Sequence, residues 1–368
     1  MKILILSDAN SVHTVKWISE LKKHDFKLML FSLFKPNKVY NELYSKWDVI
    51  VESPNLRHKI SDLREPNLSK LNYLRGFFPL KRIIKNFEPD ILHAHYASSY
   101  GVLAFLSRFK PFIISVWGSD ILDFPYKNLL NRLLIKKIIS SANSVCSTSD
   151  AMIKSLKKEY NISDVHLIPF GVDTEQFFPS QNKQKPFTVG TIKSIEKHNG
   201  IDCLIDAANI IVNQKNKNKI EFLIVGRGTL LEYMKQKVVN LNLQNYIKFK
   251  GHVSIEESAA YHRKLSLFIA VSTRESFGVA VLEAAACGVP AITSDVGGLP
   301  EVNKHGHTGL VIKPNDPTKL ADTIIQLFEK DNYRKKLGLN ARKWVEKKFT
   351  WDKCVYKMIN IYNKVYEK

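Results

Sequence analysis

The chain has 368 residues, more than one ordinary domain needs and enough for two. With 45% apolar and 24% charged residues it has the composition of a soluble globular protein, and no apolar run approaches the roughly 18 residues of a transmembrane helix. The formal net charge of +20 at pH 7 suits nucleic acid, anionic lipid or a phosphorylated substrate, and by itself selects none of them.

Strand and helix patterns alternate along the first half of the chain. Apolar, β-branched runs predict buried parallel strands at residues 2–7, 27–31, 90–93, 112–116, 144–147 and 165–168. Helical periodicity lies between them, at residues 12–23, 98–108, 128–140 and 150–160. The first residues therefore read as a strand, and not as a secretory leader, because the short apolar stretch ends at Asp8. With four scattered cysteines and no C-x-x-C pair, this predicts a cytoplasmic protein.

A second series of the same kind follows a Pro-bounded polar linker at residues 169–186. Its strands are predicted at residues 187–191, 220–225, 246–250, 265–270 and 291–293, and its helices at 201–214, 230–240, 255–263, 279–287 and 317–330. We therefore expect an α/β fold with two doubly wound, Rossmann-like parallel-sheet domains, 1–180 and 181–350. The C-terminal helix, 351–368, is expected to pack back on the first domain, and ligands are expected in a cleft at the strand ends.

The segment from Ser272 to Pro290 has the features of a ligand site. A strand ends before it, and a helix begins at Phe277-Gly278-Val279, so free N–H groups and the positive end of the helix dipole form an anion site. Glu275 precedes this helix start and Glu283 follows it, which places one carboxylate on either side. Taken alone, the two glutamates could equally be an N-terminal charge and an ordinary helix residue.

The pattern continues through residues 290–302, with the run Asp295-Val296-Gly297-Gly298, and through Gly306-His307-Thr308-Gly309. The combination resembles the donor-binding half of the retaining GT-B glycosyltransferases of family 4 (glycosyl transferases group 1). The resemblance implies transfer from a nucleotide sugar, UDP- or GDP-linked, with Glu275 positioning the sugar. Contacts to the rest of the donor are implied for Ser276, Phe277, Gly278, Val279 and Glu283.

Three further segments of the second domain resemble family elements. Residues 189–200 resemble the element carrying a basic pair, which implies that Lys193 and a second group, either Lys197 or His198, neutralise the diphosphate. Gly226 and Arg227 lie in a segment resembling the glycine turn of the family. Val253 lies in a segment resembling the one whose backbone meets the base. The hinge segment P-x-G-V-D-x-x-x-F is matched from Gly171 onward.

The first domain offers candidates for the acceptor side. Ser11 and His13 stand where many family members have a glycine-rich loop, and His13 could equally be a satisfied histidine of the core. His95 follows a predicted strand, as does Tyr96. Trp117 stands where the family often has a histidine, and Asp120 retains the family residue, with a tight structural turn as its alternative.

The chain has no D-x-D at a predicted strand end, so a metal ion is not implied, and no cofactor is expected. The resemblance implies retention at the anomeric carbon and a glycan or polyprenyl-linked acceptor in bacterial surface polysaccharide or glycoconjugate synthesis. Alternatives are a non-catalytic or epimerising nucleotide-sugar-binding protein of this fold. A nucleic-acid-binding protein is a further alternative, but no recognised module supports it and no nucleic acid partner is expected.

Aromatic and cationic residues interleave at residues 73–85, which include Phe77, Phe78, Lys81 and Arg82. Such a stretch predicts peripheral association with the anionic inner face of the cytoplasmic membrane. A helix with a buried apolar face and solvated lysines would show the same pattern.

Overall fold

The computed structural model of the protein describes residues 1–56, 73–180 and 186–367. The chain forms two units: Met1–Phe170 with Cys354–Lys368, and Gly171–Lys353. Each unit has one parallel sheet and its own apolar core, so the predicted α/β architecture of two Rossmann-like domains is confirmed.

The first unit contains a seven-stranded sheet. Its strands are β1 (Lys2–Leu6), β2 (Lys27–Phe31), β3 (Ile50–Glu52), β4 (Ile91–His95), β5 (Phe112–Val116), β6 (Ser144–Ser147) and β7 (Val165–Leu167). They pair in the order β3-β2-β1-β4-β5-β6-β7, every pair parallel. The helices are α1 (Val12–Leu21), α2 (Lys38–Lys46), α3 (Phe77–Phe87), α4 (Gly101–Ser107), α5 (Ser119–Leu122), α6 (Leu129–Ser141) and α7 (Asp150–Tyr160).

The second unit contains a six-stranded parallel sheet. Its strands are β8 (Phe187–Ile192), β9 (Ile220–Val225), β10 (Ile247–Lys250), β11 (Leu267–Ala270), β12 (Ala291–Ser294) and β13 (Gly309–Ile312), and their order is β10-β9-β8-β11-β12-β13. The helices are α8 (Ile201–Asn209), α9 (Leu231–Asn240), α10 (Ile255–Lys264), α11 (Val279–Ala286), α12 (Leu299–Val302), α13 (Pro317–Glu329) and α14 (Asp331–Lys348). The last helix of the chain is α15 (Trp351–Tyr366).

Both sheets reverse their winding direction at one point, between β1 and β4 in the first unit and between β8 and β11 in the second. At such a point the loops leaving two adjacent strands turn to opposite faces of the sheet and open a crevice at the carboxyl edge. The residues that follow β1, β4, β8 and β11 are therefore the ones placed to meet a ligand.

The units divide between Phe170 and Gly171, and not near residue 180 as the linker composition predicts. The segment after Gly171 is tied to the second unit by its backbone: a Cβ on Gly171 would lie 2.6 Å from Cα of Trp351, and Val172 bridges to Thr350. Arg342 also donates to the carbonyl of Phe177 at 2.7 Å. Proline and polar residues indicated a linker, but these long-range contacts place the division between the two units about ten residues earlier than predicted.

The C-terminal end of α15 belongs to the first unit, where the hydroxyl of Tyr362 lies 2.7 Å from Nδ1 of His93 on β4. Tyr362 is fully buried there. Over the ranges that the structure describes, no helix has both the length and the hydropathy required to cross a membrane.

Candidate functional site

Lys193 and Glu275 form an ion pair at the switch point of the second sheet. Lys193 is the first residue after β8, and Glu275 lies in the loop between β11 and α11. The Lys193 ammonium donates to Oγ of Ser272 at 2.9 Å and to the carboxylate of Glu275. Their side chains are 12% and 18% exposed, so the pair is shielded from bulk water yet still open to a ligand. Two of the three ammonium donors are thus engaged.

Two glycines with positive φ bring neighbouring backbone against this pair. Gly226 (φ +141°) follows β9, and a Cβ there would lie 2.0 Å from the carbonyl oxygen of Lys193. Gly297 (φ +53°) follows β12, and a Cβ there would lie 1.7 Å from the carbonyl oxygen of Glu275. Any side chain at either position would push the pair out of place, which explains the glycine turns seen in the sequence.

The start of α11 presents free backbone donors beside Glu275. Gly278 precedes the helix with φ +106°, a left-handed conformation that costs a larger residue strain. Phe277 is 2% exposed and anchors this turn in the core, while Ser276 and Val279 are partly exposed. Because none of the described side chains caps this helix, its first N–H groups and dipole are available to an anion.

Glu283 lies one turn into α11 and accepts a hydrogen bond from His262 of α10, with 3.2 Å between Nε2 and Oε2. His262 is fully buried, and its Nδ1 has no hydrogen-bond partner among the described residues. The imidazole therefore donates from Nε2 to the carboxylate. Sequence reasoning missed His262; the signal was its place on the buried stripe of α10, four residues after Ser258.

The other predicted donor contacts lie after strands β8, β9 and β10. Lys197 is an exposed residue of the short 3₁₀ segment Lys197–Asn199, and the carbonyl of His198 accepts from N–H of Thr273 at 2.9 Å. Arg227 is exposed after β9, and Val253 is half-buried after β10. All of these residues lie after strands, at the carboxyl edge of the sheet. Among the cations predicted to bind the diphosphate, Lys193 is the one whose described contacts include Glu275.

The first unit has a cavity of about 370 Å³ at its own switch point. Ser7 and Asp8 follow β1, and His95 ends β4, with 3.0 Å between Nδ1 of His95 and Oγ of Ser7. The wall is rich in hydroxyl and aromatic groups and consists of Ser7, Asp8, Ser11, Leu33, Phe34, Tyr73, His95, Tyr96, Ser98, Ser99, Tyr100, Trp117 and Ser119. Predicted residues Ser11, His95 and Trp117 therefore share one cavity.

Aromatic rings surround Trp117. His95 lies 4.4 Å from it between ring centroids, and Phe170 lies 5.3 Å away. His13 stacks on Phe170 at 4.2 Å and is 5.9 Å from Trp117, so His13 belongs to this cluster and is half-buried. A flat, electron-rich wall of this kind suits the apolar face of a sugar ring.

Two histidines of β4 are held neutral by burial. Burial lowers the pKa of His93 to about 3 and lowers the pKa of His95 well below its usual range. Nε2 of His93 lies 2.8 Å from Oγ of Ser115. His95 therefore meets the cavity as a neutral imidazole at physiological pH.

Asp120 is fully buried and accepts backbone N–H groups from Ala97 at 2.9 Å, Trp117 at 3.2 Å and Gly118 at 2.9 Å. This is the structural turn that was the alternative for Asp120, and it fixes the backbone that carries Trp117. Burial raises the pKa of the Asp8 carboxyl, which lines the cavity. Sequence reasoning missed Asp8 as a site residue, although its place directly after β1 was a usable signal.

Known families match both halves of the chain. The model described as Glycosyl transferases group 1 matches residues 172–344, and the model described as Glycosyl transferase 4-like matches residues 2–149. An uncharacterized glycosyltransferase of Methanocaldococcus jannaschii is 27% identical over 360 residues, 96% of this chain and 94% of that protein.

Solved structures share the fold. Sucrose-phosphate synthase from Thermosynechococcus elongatus superposes with a TM-score of 0.85 at 18% identity, covering 100% of this chain and 99% of that one. The Anabaena protein HepE, solved in complex with UDP, has a TM-score of 0.81 at 18% identity, covering 99% of this chain and 100% of that one. The two family matches identify the chain as a glycosyltransferase of the group 1 and 4-like families, and the solved structures share its GT-B fold.

Proposed function

We propose that this protein transfers a sugar from a nucleoside-diphosphate sugar to a hydroxyl of a glycan or lipid-linked acceptor, with retention at the anomeric carbon. The observation that carries the proposal is the shielded Lys193–Glu275 pair beside the uncapped start of α11. One group of each charge, fixed at a sheet switch point, suits a substrate that has a diphosphate at one end and a developing cation next to it.

The positive groups are assigned to the leaving diphosphate. Lys193 keeps one ammonium donor beyond those engaged by Ser272 and Glu275, and the first N–H groups of α11 add a second source of positive potential. Lys197 or His198 would supply a further cation from the turn after β8. These donors are fixed before the reaction begins, so little reorganisation is needed as the charge grows.

Glu275 is assigned to the sugar. In the transfer, the bond from the anomeric carbon to the diphosphate oxygen breaks, and a bond to the acceptor oxygen forms on the same face. The acceptor proton passes to the departing phosphate oxygen. Glu275 positions the sugar hydroxyls and stabilises the positive charge that develops on the ring, without a covalent sugar–enzyme bond.

We also propose that the reaction needs no divalent ion, since protein cations and helix donors already face the diphosphate position. Turnover should therefore be unchanged by excess EDTA. An absolute requirement for Mg²⁺ or Mn²⁺ would contradict this part of the proposal.

The donor is proposed to be UDP- or GDP-linked, with Glu283 accepting hydroxyls of the ribose. The His262 hydrogen bond fixes this carboxylate, and the side-chain contacts described for Glu283 leave its other lone pairs to a ligand. The UDP in the HepE complex supports a uridine donor by analogy of fold.

The acceptor is assigned to the cavity of the first unit, where Ser11, His95 and Trp117 meet. Its hydroxyl-rich wall and its Trp117 face match the two sides of a sugar ring, one polar and one apolar. We place the reaction in the cytoplasm, in the assembly of bacterial surface polysaccharide or a related glycoconjugate.

A thermal-shift panel of UDP-, GDP- and ADP-sugars, followed by turnover assays with the stabilising donor, tests the proposal. We expect one base class to stabilise the protein and to release nucleoside diphosphate when an acceptor is present. Proton NMR of the product then reports the anomeric configuration. Stabilisation without any transfer or hydrolysis would identify a binding protein, and an inverted product would contradict retention.

A further inference from the structure

Three neighbouring helices of the first unit, α3, α4 and α6, expose large apolar side chains. α4 packs between α3 and α6, so the three share one face of the sheet. Phe78 and Leu130 are each 77% exposed. The exposed apolar residues of this apolar-basic face are Leu74, Phe78, Leu106, Leu129, Leu130 and Leu133.

The same helices carry cations and no carboxylate. No Asp or Glu occurs in residues 73–87, 91–119 or 124–149. The cations within and beside the helices are Arg75, Lys81, Arg82, Lys85, Arg108, Lys110, Lys127, Arg132, Lys136 and Lys137. The carboxylates closest in sequence to α3 and α6 are Glu88 and Asp123, so cations still far outnumber carboxylates on and beside these helices. A face that offers both exposed leucines and an excess of positive charge is complementary to a surface that is apolar below a layer of negative charge.

The arrangement on α6 shows how the two kinds of residue are interleaved. Ile135, Ile138 and Ile139 are buried against the core, so the opposite side of the helix faces outward. Leu130 and Leu133 are three residues apart on that outer side, and Lys136 and Lys137 follow within the next turn. Both leucines are more than half exposed, and both lysines are exposed.

We propose that the apolar-basic face docks this protein on an anionic lipid bilayer, with Leu129, Leu130, Leu133 and Phe78 entering the interfacial region and the lysines meeting lipid phosphates. The face includes the exposed residues of the stretch predicted at residues 73–85 and extends beyond it to α4 and α6. In α3, Leu80 and Phe87 are buried in the core, and Phe77, Ile83 and Ile84 pack against it. The stretch is largely a structural helix, and α6 supplies most of the exposed apolar area. The proposal does not depend on the donor chemistry.

Vesicle sedimentation of the full chain tests it, with pure phosphatidylcholine vesicles compared with vesicles containing one quarter phosphatidylglycerol. We expect binding to the anionic vesicles that is lost in high salt and absent with phosphatidylcholine alone. A double variant, Leu130→Glu with Leu133→Glu, should weaken the partition coefficient at least about tenfold, because it removes two apolar anchors. Lys136→Gln with Lys137→Gln should weaken it about 25-fold, at about fivefold per lysine.

Matched substitutions outside the face provide the controls. Leu339 of α14 is exposed to a similar degree, and Leu339→Glu should bind vesicles as the unmodified protein does. Lys343→Gln with Lys347→Gln removes the same charge from α14 and should have less than a twofold effect. The thermal unfolding midpoint of every variant, measured without any donor, shows that each is folded and keeps the result separate from the transfer reaction.

Three results would overturn the proposal. Equal binding to both vesicle types would show that anionic lipid is not recognised. Equal losses of binding in the face variants and the control variants would show that the apolar-basic face is not the binding site. A nuclease-sensitive signal, or a dimer in light scattering that Leu130→Glu with Leu133→Glu dissolves, would assign the face to nucleic acid or to a second copy of the chain.

Discussion

The Lys193–Glu275 ion pair is much less exposed to water than the helix-surface ion pairs of the second unit. Lys235 with Glu232, for example, is a helix-surface pair with both side chains nearly half or more exposed, and such pairs contribute little. The Lys193 pair is shielded and lies at the sheet switch point. A ligand with complementary charges would exchange one set of ionic contacts for another without leaving a charge unsolvated.

Replacing Lys193 by Met should lower kcat about 100-fold or more, because one preorganised donor to the leaving diphosphate is lost. Steady-state assays with saturating acceptor measure it. Lys343→Met, which removes an exposed lysine of α14, should leave kcat within twofold. A Lys193→Met enzyme with full activity would refute the assignment of Lys193 to the leaving diphosphate.

Lys197→Met tests the second proposed cation. We expect kcat to fall tenfold or less, since Lys197 is exposed and its charge is screened by water.

His262 is expected to act through Glu283, as a positioning residue. His262→Phe removes the donor to a partly buried carboxylate and should raise KM for the nucleotide sugar about tenfold, in line with a hydrogen bond to a charged group. His262→Gln retains an N–H donor and should recover part of this loss. If Phe and Gln behave alike, or if kcat falls while KM is unchanged, the positioning role is wrong.

Loops after the strands, more than the strands themselves, determine the shape of the donor site. The glycines of two such loops allow backbone contact below ordinary side-chain distances, 2.0 Å at Gly226 and 1.7 Å at Gly297 for an added Cβ. These contacts couple the turn after β12 to the loop after β11 that carries Glu275. The position of Glu275 and of the start of α11 therefore depends on contacts with the loop after β12.

Gly297→Ala should lower both stability and activity, because its Cβ would meet the carbonyl of Glu275. Gly306→Ala is the matched control: Gly306 also has positive φ, +72°, but nothing lies within 4 Å of its added Cβ. The control should lose about 1 kcal/mol from backbone strain alone, with activity intact. We expect a larger loss for Gly297→Ala in urea unfolding, with reduced turnover. Similar losses in both variants would show that strain, and not contact with Glu275, is responsible.

At the scale of the whole molecule, buried histidines make stability depend on pH. The unfolded chain protonates a histidine near its ordinary pKa of 6.5, whereas burial lowers the pKa of folded His93 to about 3. Between these values the unfolded state binds more protons, so the free energy of unfolding falls as pH falls, by at most about 1.4 kcal/mol per pH unit for one histidine. His95, whose pKa is also lowered by burial, adds to the effect in the same direction.

Urea unfolding of the first unit at pH 7 and pH 5 measures this term. The unmodified protein should lose more stability on acidification than His93→Gln, by about 1–2 kcal/mol. His24→Gln, which changes an exposed histidine of the same unit, should track the unmodified protein. An identical pH dependence in His93→Gln and the unmodified protein would contradict the buried, neutral state of His93.

Strand periodicity, helix caps and glycine turns are local properties of the chain, so they were enough to predict the two-sheet α/β architecture and the helix that begins shortly after Glu275. The observed ends of some strands and helices differ from the predicted ones, because long-range packing also determines where an element begins and ends. The predicted helix at residues 98–108 instead begins as a π-helical turn, Tyr96–Tyr100, and becomes α4 only at Gly101, while β4 extends two residues further, to His95. Strands β3 and β13 and helices α2, α5 and α12 were not predicted.

Which polar groups come into contact depends on the three-dimensional fold and not on local sequence patterns. The partner of Lys193 lies 82 residues away, and that of Glu283 lies 21 residues away, so neither pairing has a local signature. Folding also turned Asp120 inward to backbone N–H groups and left the leucines of α6 exposed. Burial depends on what the rest of the chain places over a residue, and periodicity records only that one side of a helix is apolar.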